Sequence, residues 1–305
     1  MTDTTGLWKL ATAKADEYAG RADVVGVAIT GSVARGHSWH GSDVDLWAFT
    51  AQDPGKDSFF DGVEGETYWE IDLKPVSWLT GSAAEDWLTP PALHGHDGVT
   101  PVEALWGCIV HTDRVGTLTR VAAHVAAKMA DRDWLNRRAA NYLLYGLGAL
   151  DALRDVPALA AILTARQIAD KYAVAAHWMQ QGVLLSSIMR MPERLADWSD
   201  LHALYRQIWS LEGESGARAF SAAFESLPAA RRKGFDQDYR LEFLPALSHG
   251  LYDGAVHYLR DHLSESPEGR APLLAVSADL DTQKSEVLHW TRDLLERVRR
   301  AHPHR

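Results

Sequence analysis

At 305 residues the chain is long enough for two domains, and its 46% hydrophobic and 24% charged residues are an ordinary globular balance that gives no case for disorder. The net charge of −10 is concentrated in one half, since residues 1–110 carry 17 Asp and Glu against 6 Lys and Arg, while the remainder carries 24 against 25. An acidic half without a basic stripe argues against a nucleic-acid binder, no apolar run reaches the length of a membrane span, and a lone cysteine, Cys108, rules out an intramolecular disulfide or a multi-Cys zinc site.

The opening segment lacks the basic-then-apolar pattern of a secretory leader, so a cytoplasmic location is expected. Leu7, Trp8, Leu10, Ala11, Ala13 and Tyr18 recur at mostly helical spacing before Gly20, which predicts a helix packed on a sheet. Val24 to Thr30 reads as a β-branched strand, Gly31-Ser32 as a tight turn, and Asp43-Val44-Asp45-Leu46 as the start of a second strand. Ala51 to Glu66, with Pro54, three Gly and many acids, reads as a surface loop. Thr67 to Trp78 alternates, with Trp69, Ile71 and Leu73 on one face and Glu70, Asp72 and Lys74 on the other, a half-buried strand ended by Pro75. Gly81 to Val102 reads as irregular around a short helix at 83–88; His94 and His96 there are surface histidines rather than metal ligands, since only Asp97 accompanies them. Leu105 to Thr112 reads as the last strand, with Cys108 as a small apolar residue inside it.

From Leu118 onward the pattern is helical, through 117–131, 134–153 and 158–183 and then 198–211, 215–226, 246–263 and 284–300. A bundle of five or more helices follows, with Trp134, Tyr142, Trp178 and Trp209 in its core. Ser264 to Pro272 reads as a surface connection. The fold class expected is α+β: a small mixed sheet with flanking helices over 1–114, then an α-helical bundle over 115–305.

The chemistry is concentrated between Val24 and Trp47. Strand side chains alternate, so Asp43 and Asp45 project together while Val44 and Leu46 turn to the core. Two adjacent carboxylates repel, and a shared Mg²⁺, which prefers hard oxygen ligands, relieves the repulsion. Gly31 permits a backbone conformation that other residues resist and a close approach to a ligand. Ser32 offers a hydroxyl and, at a helix start, free amides for a phosphate. His37 and His40, between turn and carboxylates, read as polar loop residues.

These residues carry a resemblance. Gly31-Ser32, ten intervening residues and Asp43-Val44-Asp45 before apolar Leu46 resemble the signature of the nucleotidyltransferase superfamily that includes DNA polymerase beta and the antibiotic nucleotidyltransferases. The longer string GSVARGHSWHGSDVDL is most similar to the aminoglycoside and lincosamide enzymes, in which Gly-Ser, an Ala-Arg-Gly (here Ala34-Arg35-Gly36) and a Ser before the first Asp (here Ser42) recur.

The resemblance implies Mg²⁺-dependent transfer of a nucleoside monophosphate from ATP, or another NTP, to a hydroxyl of a small molecule, with pyrophosphate leaving. It implies two Mg²⁺ ions about 3.5–4 Å apart, held by Asp43, Asp45 and a third acid that also takes the proton of the attacking hydroxyl. Asp72 matches the family pattern better in that role, and Glu70 is the alternative. The resemblance further implies that Gly31, Ser32, Arg35 and Ser42 hold the nucleotide, and that a helical domain closing the cleft adds a basic group, for which Arg166 and Lys171 are the candidates. The acidic half favours a cationic acceptor such as an antibiotic and disfavours nucleic acid, whose phosphates each need a Lys or Arg. Two other readings stay open: a transferase acting on a protein or tRNA, and a non-catalytic nucleotide-binding protein of the same fold, which would have no need of the full carboxylate set.

Overall fold

The computed structural model describes residues 5–39, 41–55, 58–80, 87–88, 90, 100–183, 191–232, 235–236, 239–265 and 279–301. The fold is mixed α+β, and the described residues form two compact units, one reaching Leu135 and one from Asn136 onward.

In the first unit, helix α1 (Thr5–Ala19) buries Leu7, Ala11, Ala15 and Tyr18, which lie on one helical face. Trp8, grouped with the buried set by spacing alone, is 41% exposed because it sits one residue, about 100°, away from Leu7. Strands β1 (Val24–Ile29), β2 (Val44–Thr50), β3 (Phe59–Glu64), β4 (Thr67–Pro75) and β5 (Ile109–Asp113) make one sheet in the order β3-β4-β2-β1-β5. β2 and β4 run parallel and every other neighbour pair is antiparallel. Val27, Ile29, Val44, Leu46, Ile71 and Leu73 join the buried face of α1 in one core. By alternation, Asp45 and Trp47 of β2 and Glu70 and Asp72 of β4 project from the other face of the sheet, where Trp47 stacks on Trp78 at 5.2 Å.

Two local expectations are corrected. The stretch Ala51 to Glu66 is not loop throughout, because β3 lies within it and pairs Glu64 with Thr67 and Phe59 with Asp72. Its acids and glycine, which read as loop, suit an edge strand, where charge is tolerated and discourages further pairing. Leu105 does not open a strand; it ends helix α3 (Pro101–Leu105). Thr100 fixes the start of α3, accepting from the Val102 amide at 3.3 Å while Glu103 accepts from the Thr100 amide at 3.0 Å, with Pro101 in the first turn. β5 therefore begins only at Ile109, and Cys108 lies in the turn before it, where burial pushes its thiol up to about 11. The helix expected at 83–88 falls almost wholly outside the described residues, as do His40, His94, His96 and most of Ser264–Pro272. Besides α1 and α3, the first unit holds the short helix α2 (Gly31–Ala34) and α4 (Thr117–Ala130), which buries Leu118, Val121 and Val125.

The second unit is helical throughout its described length. Following α5 (Arg132–Asp151), α6 (Ala158–Ile168) continues without a break through a π-helical turn at Ala169–Val174 into α7 (Ala175–Gln180). Then come α8 (Met191–Leu195), α9 (Ser199–Trp209), α10 (Gly213–Glu225), α11 (Ala229–Arg232), a second π-helical turn at Tyr239–Phe243, α12 (Leu244–Ser248), α13 (Tyr252–Glu265) and α14 (Leu280–Ala301). α14 lays Val287, Thr291, Leu294, Leu295 and Val298 against α6, the first π turn and α9. Asp170, in that π turn, accepts from Trp209 Nε1 at 3.1 Å and lies 2.7 Å from His257 Nε2, which Tyr205 Oη also reaches at 2.9 Å. Trp134, Tyr142, Trp178 and Trp209 are buried. No described helix is long and apolar enough to cross a membrane.

Candidate active site

The site is built where the end of β1 meets the start of β2. Gly31 has φ +64°, and a Cβ placed on it would fall 1.6 Å from Asp45 Oδ2. Only a residue with no side chain lets the Asp45 carboxylate lie against this turn. The turn is clipped to β2 through Thr30, whose amide donates to the Asp45 carbonyl at 2.9 Å and whose hydroxyl donates to the same oxygen at 3.3 Å. Ser32 is buried, and its hydroxyl has no hydrogen-bond partner among the described residues. An orphaned buried hydroxyl costs about 1–3 kcal/mol, and a phosphate oxygen brought to it would supply the partner.

The parallel register places Asp45 opposite Glu70, and Trp47 opposite Asp72. Asp43 stands just before β2, two residues from Asp45 and thus on its side. Burial pushes the Asp45 carboxyl up to about 7, helped by the charge of Glu70 and a hydrogen bond with it; Arg35 pulls the other way and Asp72 adds to the rise. Glu70 is also pushed up, first by burial and then by Asp43, with Asp72 and Asp61 adding and the bond from Asp45 opposing. Two carboxyls in one site share a proton because they cannot both ionise cheaply. Glu70 is thus coupled to both Asp43 and Asp45, whereas Asp72, buried, stands one like-facing pair further along β4. The donors are all hard oxygens, which suits Mg²⁺ rather than a softer ion. No three of the described His, Cys, Asp or Glu side chains converge closely enough to chelate an ion.

Arg35 supplies the nearby positive charge from a seat that the sequence does not announce. Its Nη1 donates to the Trp106 carbonyl at 3.0 Å and its guanidinium lies 4.9 Å from the centre of the Trp106 ring. Gly107, with φ +64°, makes room, since a Cβ there would stand 2.8 Å from Arg35 Cγ. Trp106 and Gly107 occupy the turn between α3 and β5, seventy residues beyond Arg35, and only the positive-φ glycine could have hinted at their part.

Of the other residues expected in the site, Ser42 is buried, its hydroxyl accepting from the Trp39 amide at 3.0 Å, so it closes the loop that delivers Asp43. Arg166 and Lys171 belong to the second unit. Arg166 is buried there, donating through Nε to the Ile208 carbonyl at 2.9 Å and through Nη2 to Ser210 Oγ at 3.3 Å, and Lys171 is half-buried in the π turn. Gly31, Ser32, Arg35, Asp43, Asp45, Glu70 and Asp72 all belong to the first unit. Neither a scan against protein-family models nor a search of the curated proteins returns a match for this chain.

Proposed function

We propose that the chain is a Mg²⁺-dependent nucleotidyltransferase that moves a nucleoside monophosphate, AMP from ATP by default, onto a hydroxyl of a small cationic molecule of the aminoglycoside or lincosamide kind. The observation that carries this reading is the meeting of Gly31 and Asp45. A turn that lacks a side chain lets a carboxylate lie against it, the next residue holds a buried serine hydroxyl with no partner among the described residues, and three further acids share the same face of the sheet. A purely structural turn would have no need of that arrangement, which is unfavourable for stability. On this reading the first unit is the catalytic domain.

Mg²⁺ held by Asp43, Asp45 and an acid of β4 would neutralise the triphosphate and polarise the acceptor oxygen. The chain's own groups do the rest. Ser32 and the amides beside it hold phosphate oxygens, and Arg35, fixed on Trp106, faces their charge. The acceptor oxygen attacks the α-phosphorus, the bond to pyrophosphate breaks, and the hydroxyl proton passes to a carboxylate of β4. Between the two acids of β4, the register favours Glu70, which stands opposite Asp45, over Asp72, which the resemblance favoured.

The test is pyrophosphate release by the purified protein with Mg²⁺ and each common NTP, against aminoglycosides, lincosamides and bulk tRNA. Release that needs one small acceptor, yields an acceptor ester by mass spectrometry and disappears in Asp45→Ala is the expected result. Turnover that survives Asp45→Ala would sink the assignment, and release with tRNA alone would move it to a macromolecular substrate.

A further inference from the structure

The second unit contains a cavity of about 340 Å³ whose walls come from α6, α10, α13, the turn after α9 and the start of α14. Leu159, Leu163, Phe220 and Val256 give it an apolar side, while Arg166 and Arg260 bring two guanidiniums to the same space. Arg166 is 6% exposed. Its bonds run from Nε to the Ile208 carbonyl and from Nη2 to Ser210 Oγ, which leaves Nη1 without an acceptor among the described residues. Arg260 spends only Nη1, on the Trp209 and Ser210 carbonyls, which leaves Nε and Nη2 without an acceptor among them.

These bonds cap the last carbonyls of α9, a sound structural role for an arginine near a helix C-terminus. Capping does not account for the whole arrangement. Two like charges are brought together, and neither lies within salt-bridge distance of a described carboxylate. Glu212, which also lines the cavity, and Asp253 lift Arg260 from a distance, as Asp170 lifts Arg166. Burial pushes Arg166 down to about 9, with Arg260 adding to the fall, and pushes Arg260 down to about 10. A desolvated cation pair with spare, fork-shaped donors is the arrangement that binds a carboxylate or phosphate with two parallel hydrogen bonds. A volume near the lower end of ligand pockets suits a small molecule.

We propose that this cavity binds a small organic anion, one carboxylate or phosphate group carried on an apolar body, with the oxyanion between Arg166 and Arg260 and the body against Leu163 and Phe220. The proposal stands apart from the nucleotidyltransferase reading, because every residue it uses lies in the second unit.

Calorimetric titration and thermal unfolding of the full chain with phenylacetate, phenyl phosphate, inorganic phosphate and uncharged phenylethanol test it. One or both phenyl anions should bind and raise the melting temperature while phenylethanol does neither, and the preferred anion identifies the head group. Arg260→Gln, which removes a charge, and Ala219→Trp, which keeps both charges and blocks the mouth, should each weaken binding at least about tenfold, a loss of about 1.4 kcal/mol. Asp45→Asn, in the first unit, should leave it unchanged, which separates this site from nucleotide binding. Equal binding of phenylethanol, inorganic phosphate binding as tightly as phenyl phosphate, undiminished binding by Ala219→Trp, or no binding of any anion at millimolar concentration would each overturn the proposal.

Discussion

A single methyl group at position 31 would occupy the space that the Asp45 carboxylate fills, and would do so on a backbone that already disfavours a side chain. On the proposed function, Gly31→Ala is therefore expected to lower turnover about a hundredfold by displacing the carboxylate proposed to hold Mg²⁺, with an unchanged far-ultraviolet circular dichroism spectrum; near-normal turnover would count against Asp45 as a catalytic group. Asp45 and Glu70 make a second prediction, about stability. Both carboxyls are raised in the folded chain, so between about pH 4 and pH 7 the folded state holds more protons than the unfolded one, and stability falls as pH rises through that window. Glu70→Gln removes one of the two charges. In EDTA it should stabilise the protein by about 1–3 kcal/mol at pH 8 and bring no gain near pH 4, as read by urea unfolding. Equal pH slopes for the two proteins would show that the acids do not share a proton. Comparing the activity of Glu70→Gln with that of Asp72→Asn then decides which acid of β4 serves the reaction, the register predicting the greater loss for Glu70→Gln.

Elements position these residues, and not all of them could be read ahead of the structure. The alternation of Thr67 to Trp78 identified β4, although its centre, Ile71-Asp72-Leu73, is buried on both faces. Its partner β3 stayed hidden, since an exposed edge strand tolerates the acids and glycine that elsewhere mark loops. That Glu70 and not Asp72 stands opposite Asp45 was equally out of reach, because register depends on where a parallel strand returns and no local pattern encodes that. Thr100-Pro101-Val102-Glu103 did carry a capping signature for α3, but it sits at the edge of an otherwise irregular stretch. Thr100→Ala should destabilise the first unit by about 1 kcal/mol, measured by chemical unfolding. Gly107→Val should act on function instead, pushing Arg35 off Trp106 and raising the KM for the NTP about tenfold or more; an unchanged KM would mean that Arg35 does not touch the nucleotide.

Across the whole molecule, the long helices from 117–131 to 284–300 were legible because amphipathic periodicity repeats over many residues and needs no partner to be seen, whereas α8 and α11 are too short to show it and the helix expected at 246–263 is broken between α12 and α13. The cavity between Arg166 and Arg260 was not legible, since five chain segments spread over more than a hundred residues meet to form it. The bundle is held by α14, and Leu294→Ala should cost about 2–5 kcal/mol in thermal or chemical unfolding, as for other fully buried leucines. Its longest rod, Ala158 to Gln180, contains a constraint of another kind. The π turn at Ala169–Val174 takes up more residues than an α turn does. It absorbs one extra residue, so deleting one there would let the rod heal as a continuous α-helix with its two flanks in their present phase, whereas deleting one from α6 would rotate all that follows by about 100°. In the second case Trp178 and Met179 would turn away from the interior although no backbone hydrogen bond need be lost. Along this rod a change of residue is a local event, but a change of count shifts the phase of the entire face everywhere except at the π turn.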